Sequence, residues 1–466
     1  MIARSPLWTS DEAARATGGK ANRDWSAHGI SIDTRSIERG DLFVALQGDS
    51  RDGHGFVPAA LEKGAAAALV SRMPDGVTSG APLLMVGDTQ KGLEDLGRAA
   101  RARSHAKIVA VTGSAGKTTT KEMLRLLLST AAPVAASAAS YNNHWGVPLS
   151  LARMKREAAF GVFEIGMNHA GEIRALNAYV RPHVALITTV APAHLEYFGN
   201  VEAIADAKGE IFEGVEPDGA AILPADNPQC DRLKTHALNA GVKRILTFGT
   251  RSNADARLLS AEGHGEGQKI VAELGGNRLA FSVGAAGAHI AMNAMAALLA
   301  ARELGVEIKT ASQALVNFVA LKGRGARFTA GDIDVIDESY NANPASMIAA
   351  LGLLGQTRPK PHGRRIAVLG DMLELGADSA RLHAALAKDI AAAAADLVFL
   401  CGPHMAALWQ AVPERKRGAY AELSTELAPE LMRNLRAGDV VLVKGSFGSR
   451  MSVIIDALKS REAATA

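Results

Sequence analysis

The sequence predicts a three-domain α/β protein built on mostly parallel sheets, and three observations predict it. The chain has 466 residues, enough for roughly three domains of about 100–200 residues each. Short apolar runs closed by turn residues alternate with helical stretches along nearly its whole length, the rhythm of parallel strands with helices on both faces. Near the middle, a strand enters a glycine-containing loop that leaves directly into a helix.

Taken in order, "MIARSPLWTSDEAARATGG" reads as the start of a helix, with no apolar stretch of signal-peptide type. Within residues 30–87, "DLFVALQG", "AAAALVS" and "PLLMVGD" read as strands of a small N-terminal α/β domain, placed at 1–87. The amphipathic helix of "DTQKGLEDLGRAARARS" opens the second domain, 88–321. Strand Ile108–Val111, the loop and helix Thr118–Leu128 follow, then strands in "GVFEIGM", "HVALITTV" and "AAILPAD". Residues 250–285 are richer in Gly and short polar groups and read as an antiparallel excursion. "HIAMNAMAALLAARELGV" is a helix of strong formers. The β/α rhythm restarts in "DIDVIDESY", "RRIAVLGDM", "ADLVFLCG" and "DVVLVKGS", giving a Rossmann-like third domain over 322–466.

Composition narrows the class. Lys+Arg 51 against Asp+Glu 48 leaves a net charge of +3, with no basic stripe interleaved with aromatics, so nucleic acid is not an expected partner. Two distant cysteines, Cys230 and Cys401, fit a reducing compartment rather than a disulfide framework. Apolar runs such as "IAAAAADLVFL" fall short of the ~20 residues of a spanning helix. The expectation is a soluble, cytoplasmic protein.

The loop "VAVTGSAGKTTT" (109–120) carries the first chemistry. The usual G-x-x-x-x-G-K-[ST] pattern demands glycine at position 111, which is Val111; the first glycine is Gly113. The context is nevertheless that of a phosphate loop. Gly113, Ser114, Ala115 and Gly116 can turn tightly and present N–H groups to an anion, at a helix N-terminus that favours negative charge. Lys117 would neutralise phosphate charge, the Thr118 hydroxyl can ligate Mg²⁺, and Thr119 continues the helix start. The loop reads as contracted rather than degraded. Glu164, ending "GVFEIG", reads as a Mg²⁺ carboxylate or a structural one; His194, just past "HVALITTV", as a site or surface residue.

The ordered set of motifs then resembles the ATP-dependent Mur ligases of peptidoglycan synthesis. "TGSAGKTTTKEM" has that family's late glycine. "NNHWGVPLSL" (142–151), "EIGMNHAGEI" (164–173), "AHLEYFG" (193–199), "AKGEIF" (207–212), "GRGARF" (323–328), "DESYNANPASM" (337–347), "GDMLELG" (370–376) and "VKGSFGSRM" (443–451) follow in order. The resemblance covers nearly the whole chain. It implies ATP as co-substrate and two Mg²⁺, one near Thr118 and Glu164, a second near Glu164 and His194. It also implies a CO₂-derived carbamate on Lys208, which spacing alone reads as a solvent-facing helix lysine. Asn142 and Asn143 would touch substrate and Asn293 the adenine. His289 stays open as a satisfied core histidine, and position 290, often a second Asn in the family, is Ile290.

The flanking motifs extend the resemblance. "IDTRSIERGDLFVALQGDSRDGHGF" (32–56) is similar to a uridine-nucleotide domain, which implies substrate contacts from Thr34, Arg35, Asp52, Gly53 and His54. Arg324 would reach the γ-phosphate on domain closure; Asp337 would accept from ribose, with Tyr340, Asn341 and Asn343 beyond it. Asp371, Glu374, Lys444 and Ser446, and less securely His383, would hold the incoming dipeptide or its neighbours. The implied reaction joins D-alanyl-D-alanine to UDP-N-acetylmuramoyl-tripeptide through an acyl phosphate, carried out by a monomer. The alternatives are a sister ligase adding a diamino acid, a folylpolyglutamate synthase-like ligase, and a P-loop switch or motor. The sister's D-N-P-R signature belongs to a C-terminal domain, whereas "DNPQ" here (226–229) lies in the central one and reads as coincidence.

Overall fold

The computed structural model describes residues 5–48, 51–138, 140–264 and 267–465; positions 1–4 of the N-terminal stretch and 49–50 of the Asp52 turn, both read above, lie outside these. Three main sheets follow one another along the chain, joined by helices in the expected α/β alternation. The first has five strands in the spatial order Lys20–Ala21, Leu83–Met85, Ala67–Val70, Asp41–Val44 and Gly29–Ser31, with only the Lys20–Ala21 edge antiparallel.

The nine-stranded central sheet is parallel from Val134–Ala136 through Phe160–Glu164, Lys107–Thr112, Val184–Ile187, Ala220–Pro224 and Arg244–Gly249 to Ala256–His264. Its far edge is the expected antiparallel excursion, Ala256–His264, Gly267–Leu274 and Asn277–Val283. Alternation along Lys107–Thr112 sends Ile108 and Ala110 into one apolar cluster and Val109 and Val111 into the other, so both faces are covered. From this strand the chain first moves to one side, over Phe160–Glu164, and then returns across it to Val184–Ile187. The strand order therefore reverses where the phosphate loop emerges, the position at which open α/β sheets bind ligands.

The six-stranded third sheet runs Ala326–Ala330, Ile333–Glu338, Val440–Lys444, Arg365–Gly370, Leu397–Cys401 and Arg417–Ala421, parallel except for its first strand. One apolar cluster runs from Ile187 and Leu195 of the central region to Ala342 and Met347 of the third. The charged stretch "PERKRG" (413–418) forms a short turn, Glu414–Lys416, whose side chains are exposed or half-buried. No described helix is long and apolar enough to cross a membrane.

Candidate active site

The loop's geometry follows from its two glycines. Gly116 sits at φ +82° as the cap of helix Lys117–Ser129, which begins one residue earlier than the sequence suggested. Ser114, Ala115, Gly116, Lys117 and Thr119 line a cavity of about 580 Å³. Lys117 Nζ donates to Gly113 O at 2.6 Å, and burial with the nearby Arg324 charge lowers its pKa against the opposing pull of Glu164.

Beneath the loop, the buried Thr118 hydroxyl donates to Glu164 Oε2 at 2.8 Å. Asn142 Nδ2 donates to the other carboxylate oxygen at 2.7 Å, so Asn142 orients Glu164 while lining the same cavity. A hydroxyl and a carboxylate side by side fit a hard divalent cation, but they supply too few ligands alone. Among the described residues no group of three or more His, Cys, Asp or Glu could hold a metal. The pair suits Mg²⁺ that brings phosphate oxygens and water to complete its shell.

His194 lies between lobes. Its Nδ1 is 2.5 Å from Glu374 Oε2 of the third sheet's loops, and burial, with help from Lys117 and Lys208, lowers its pKa against the pull of that carboxylate. Lys208 is 2% exposed on helix Val201–Gly209, contrary to its reading from spacing alone. Burial, then the Lys117 charge, holds its pKa well below that of an ordinary lysine.

The third sheet brings its own residues to the cavity. Arg324 Nη2 donates to Ser140 Oγ at 2.9 Å, and Asn343 Nδ2 to the phosphate-loop carbonyl of Ser114 at 3.0 Å. Tyr340, Asn341 and Lys444 join them, with Lys444 Nζ held by Asn341 O at 2.9 Å and Glu338 Oε2 at 3.3 Å. On the central side Asn293 lines the cavity, and its buried Nδ2 has no hydrogen-bond partner among the described residues.

Several expected contacts turn out to be structural. Asp337 is 1% exposed and spends its carboxylate on Gly323 N, Ser339 N and Ser339 Oγ. Successive strand residues face opposite ways, so Glu338 rather than Asp337 lines the cavity. Asn143 is exposed and uses only its Oδ1, accepting from Gly146 N at 2.9 Å just before helix Gly146–Ala152. Asp371 accepts from His404 N and Met405 N, Ser446 bridges Leu373 N and Ala342 O, and the buried His383 is pinned between Met372 N and Ser379 O. For Asp337, Asp371 and Ser446 one cause is shared: a polar group at a strand end is as useful for closing a buried turn as for holding a ligand.

In the first lobe, Thr34, Arg35, Asp52 and Gly53 gather in the loops after two parallel strands, at the carboxyl edge of the sheet. Arg35 is exposed and paired with Asp33. His54, however, is buried with Nδ1 on Asp52 and Nε2 accepting from Ser71 N, which leaves no ring nitrogen for a ligand. The edge is fixed to the central region by Arg153 Nε donating to Ile30 O. Ser140 and Asn142, in the segment before Arg153, line the cavity.

Sequence reasoning missed several walls. Asp226, Asn227 and Pro228 line the cavity, with Asn227 Nδ2 donating to Val190 O. Phe248, His289, Met292 and Ser140 also line it, and His289 Nδ1 has no partner among the described residues, unlike a satisfied core histidine. Only the strand-end position of Asp226 and Asn227, just after Ala220–Pro224, could have signalled them.

A phosphate loop facing an arginine and a lysine carried by a second lobe fits phosphoryl transfer from a nucleotide. The chain belongs to the Mur ligase family. Family models match in series: Mur ligase family, catalytic domain, over residues 26–128; Mur ligase middle domain over 111–301; and Mur ligase, glutamate ligase domain, over 323–447. Among its relatives, UDP-N-acetylmuramoyl-tripeptide--D-alanyl-D-alanine ligase of Rickettsia prowazekii is 32% identical across 97% of this chain and 99% of its own. The crystal structure of MurF from Acinetobacter baumannii shares 31% identity, 97% of this chain, 99% of that chain and a TM-score of 0.85. MurF ligase from Thermotoga maritima, solved in complex with ADP, gives 26%, 94%, 98% and 0.78.

Proposed function

We propose that the chain is an ADP-forming ligase that adds D-alanyl-D-alanine to UDP-N-acetylmuramoyl-tripeptide, as a cytoplasmic monomer, in peptidoglycan precursor synthesis. The observation that carries this reading is the meeting of Lys117, Glu164 and Arg324 on one cavity, in a chain similar over nearly its full length to ligases of that name.

The chemistry must bring two anions together. The tripeptide carboxylate attacks the γ-phosphorus of ATP, ADP leaves, and an acyl phosphate forms. The free amine of D-alanyl-D-alanine then attacks the acyl carbon, and the tetrahedral adduct collapses to the amide, releasing phosphate and a proton. Lys117, the loop N–H groups and Arg324 offset the charge on the transferring group. Thr118 and Glu164 would hold one Mg²⁺, with Glu164, His194 and a carbamylated Lys208 near a second; bound there, Mg²⁺ would screen phosphate charge. The unpartnered Asn293 amide supports adenine contact. The first lobe's sheet edge would hold the uridine diphosphate near Thr34 and Arg35, with segment 140–145 leading toward the phosphates. The domain limits 1–87, 88–321 and 322–466 are proposed on the same division of labour.

The test is phosphate release with ATP, UDP-N-acetylmuramoyl-tripeptide and a panel of acceptors. Release is expected to require D-alanyl-D-alanine; equal turnover with lysine or glutamate would reject the reading.

A further inference from the structure

Tyr340 takes part in an arrangement that nucleotide contact does not explain. The Arg324 guanidinium carbon lies 3.9 Å from the centroid of the Tyr340 ring, and that ring is 6.1 Å from the ring of Phe447, tilted by 54°. Phe447 itself is 76% exposed, so the Tyr340 ring is its aromatic neighbour on an otherwise open face.

The backbone is built to bring these groups together. Tyr340 N donates to Gly323 O, while Gly323 N and Gly325 N donate to Asp337 Oδ2 and O. Gly323 stands at φ +74°, and a Cβ there would lie 2.9 Å from Tyr340 Cβ, so only glycine lets the arginine-bearing turn close on the ring. Arg324 and Tyr340 thus move as one body with the third sheet.

Stacking has a chemical advantage over an ion pair here. A carboxylate partner would occupy the guanidinium N–H groups and cancel its charge. A ring face holds the plane of the group and leaves its in-plane donors free for phosphate oxygens. Among the described residues Arg324 forms no ion pair with a carboxylate, and its Nη2 contact is the neutral Ser140 hydroxyl.

We propose that Tyr340, supported by Phe447, is a positioning residue: an aromatic seat that aims Arg324 at the transferring phosphate. The proposal rests on the ligase reading for its consequence but not for its geometry. Ring stacking needs the ring and not the hydroxyl, so Tyr340→Phe is the conservative variant and Tyr340→Leu the disruptive one.

Two measurements on the full chain decide it. In protein labelled with ¹⁵N-arginine, the Arg324 Nε–H resonance, assigned by Arg324→Lys, is expected upfield in wild type and Tyr340→Phe, and at an ordinary position in Tyr340→Leu. In phosphate release, Tyr340→Phe is expected within about twofold of wild type, and Tyr340→Leu about tenfold lower in kcat with little change in KM for ATP. Equal loss in both variants, or a resonance that does not move in Tyr340→Leu, overturns the seat. If wild type releases no phosphate with D-alanyl-D-alanine, the ligase reading fails, while the resonance still decides the stacking.

Discussion

At Lys208, solvation decides the chemistry. A buried lysine with no carboxylate beside it is driven toward its neutral form, and the nearby Lys117 charge drives it further. A neutral amine can add CO₂ and lose a proton, so the proposed carbamate would put an anion where the proposed Mg²⁺ would otherwise meet a cation. Lys208→Ala is expected to lose activity and regain part of it with short-chain carboxylic acids, followed as phosphate release against carboxylate concentration. Lys208→Arg should regain none, because a guanidinium stays charged and fills the space. Asp52 shows the opposite case, a carboxylate fully used by structure. The His54 N–H, the His54 ring and Arg72 hold its pKa well below the ordinary carboxylate range. A carboxylate depressed in the folded state stabilises fully above the unfolded pKa of about 3.9, and that contribution fades as pH falls toward the folded value. Asp52→Asn is therefore expected to lower Tm at pH 7, with the gap to wild type closing below about pH 4 in thermal melts.

Among the elements, the phosphate loop and helix Ala288–Glu303 are matched by contact. A Cβ on Gly116 would sit 2.6 Å from Asn293 Oδ1, and φ +82° already disfavours a side chain. Gly116→Ala should weaken ADP binding about tenfold or more by calorimetry, because strain and displacement of Asn293 act on one site. An unchanged Kd would show that the loop relaxes independently of the helix. Strand Ile333–Glu338 teaches a related lesson: its last two residues are both acids, and the pleat sends Asp337 inward and Glu338 to the cavity.

For the whole molecule the decisive feature is how the third lobe meets the second. His194 and Glu374 touch although 180 residues apart, and both hold left-handed backbone conformations, φ +57° and +62°, that cost energy in non-glycine residues. Glu196 N also donates to Glu374 O, and Asn343 reaches the phosphate loop. Together these contacts hold the lobes against each other at the cavity, an arrangement that would exclude water from the proposed acyl phosphate. Glu374→Ala is expected to raise ATP hydrolysis without acceptor relative to ligation, and to enlarge the radius of gyration in solution scattering. Neither change would mean that the contact is incidental.

The architecture was legible in the sequence because it rests on local regularities: apolar runs of strand length, helix formers between them, and a glycine turn joining strand to helix. Lys117, Glu164 and Arg324 were legible through motif order. What the sequence could not supply was orientation. Asp337, Asp371 and His54 carry the right groups at suggestive places, yet each is turned into a buried turn. Phe248 and Met292 carry no local signal, and join the site only because distant segments converge there. Periodicity fixes which residues form an element. Which polar groups remain free for a ligand depends on which buried N–H groups already claim them, and only the packed chain decides that.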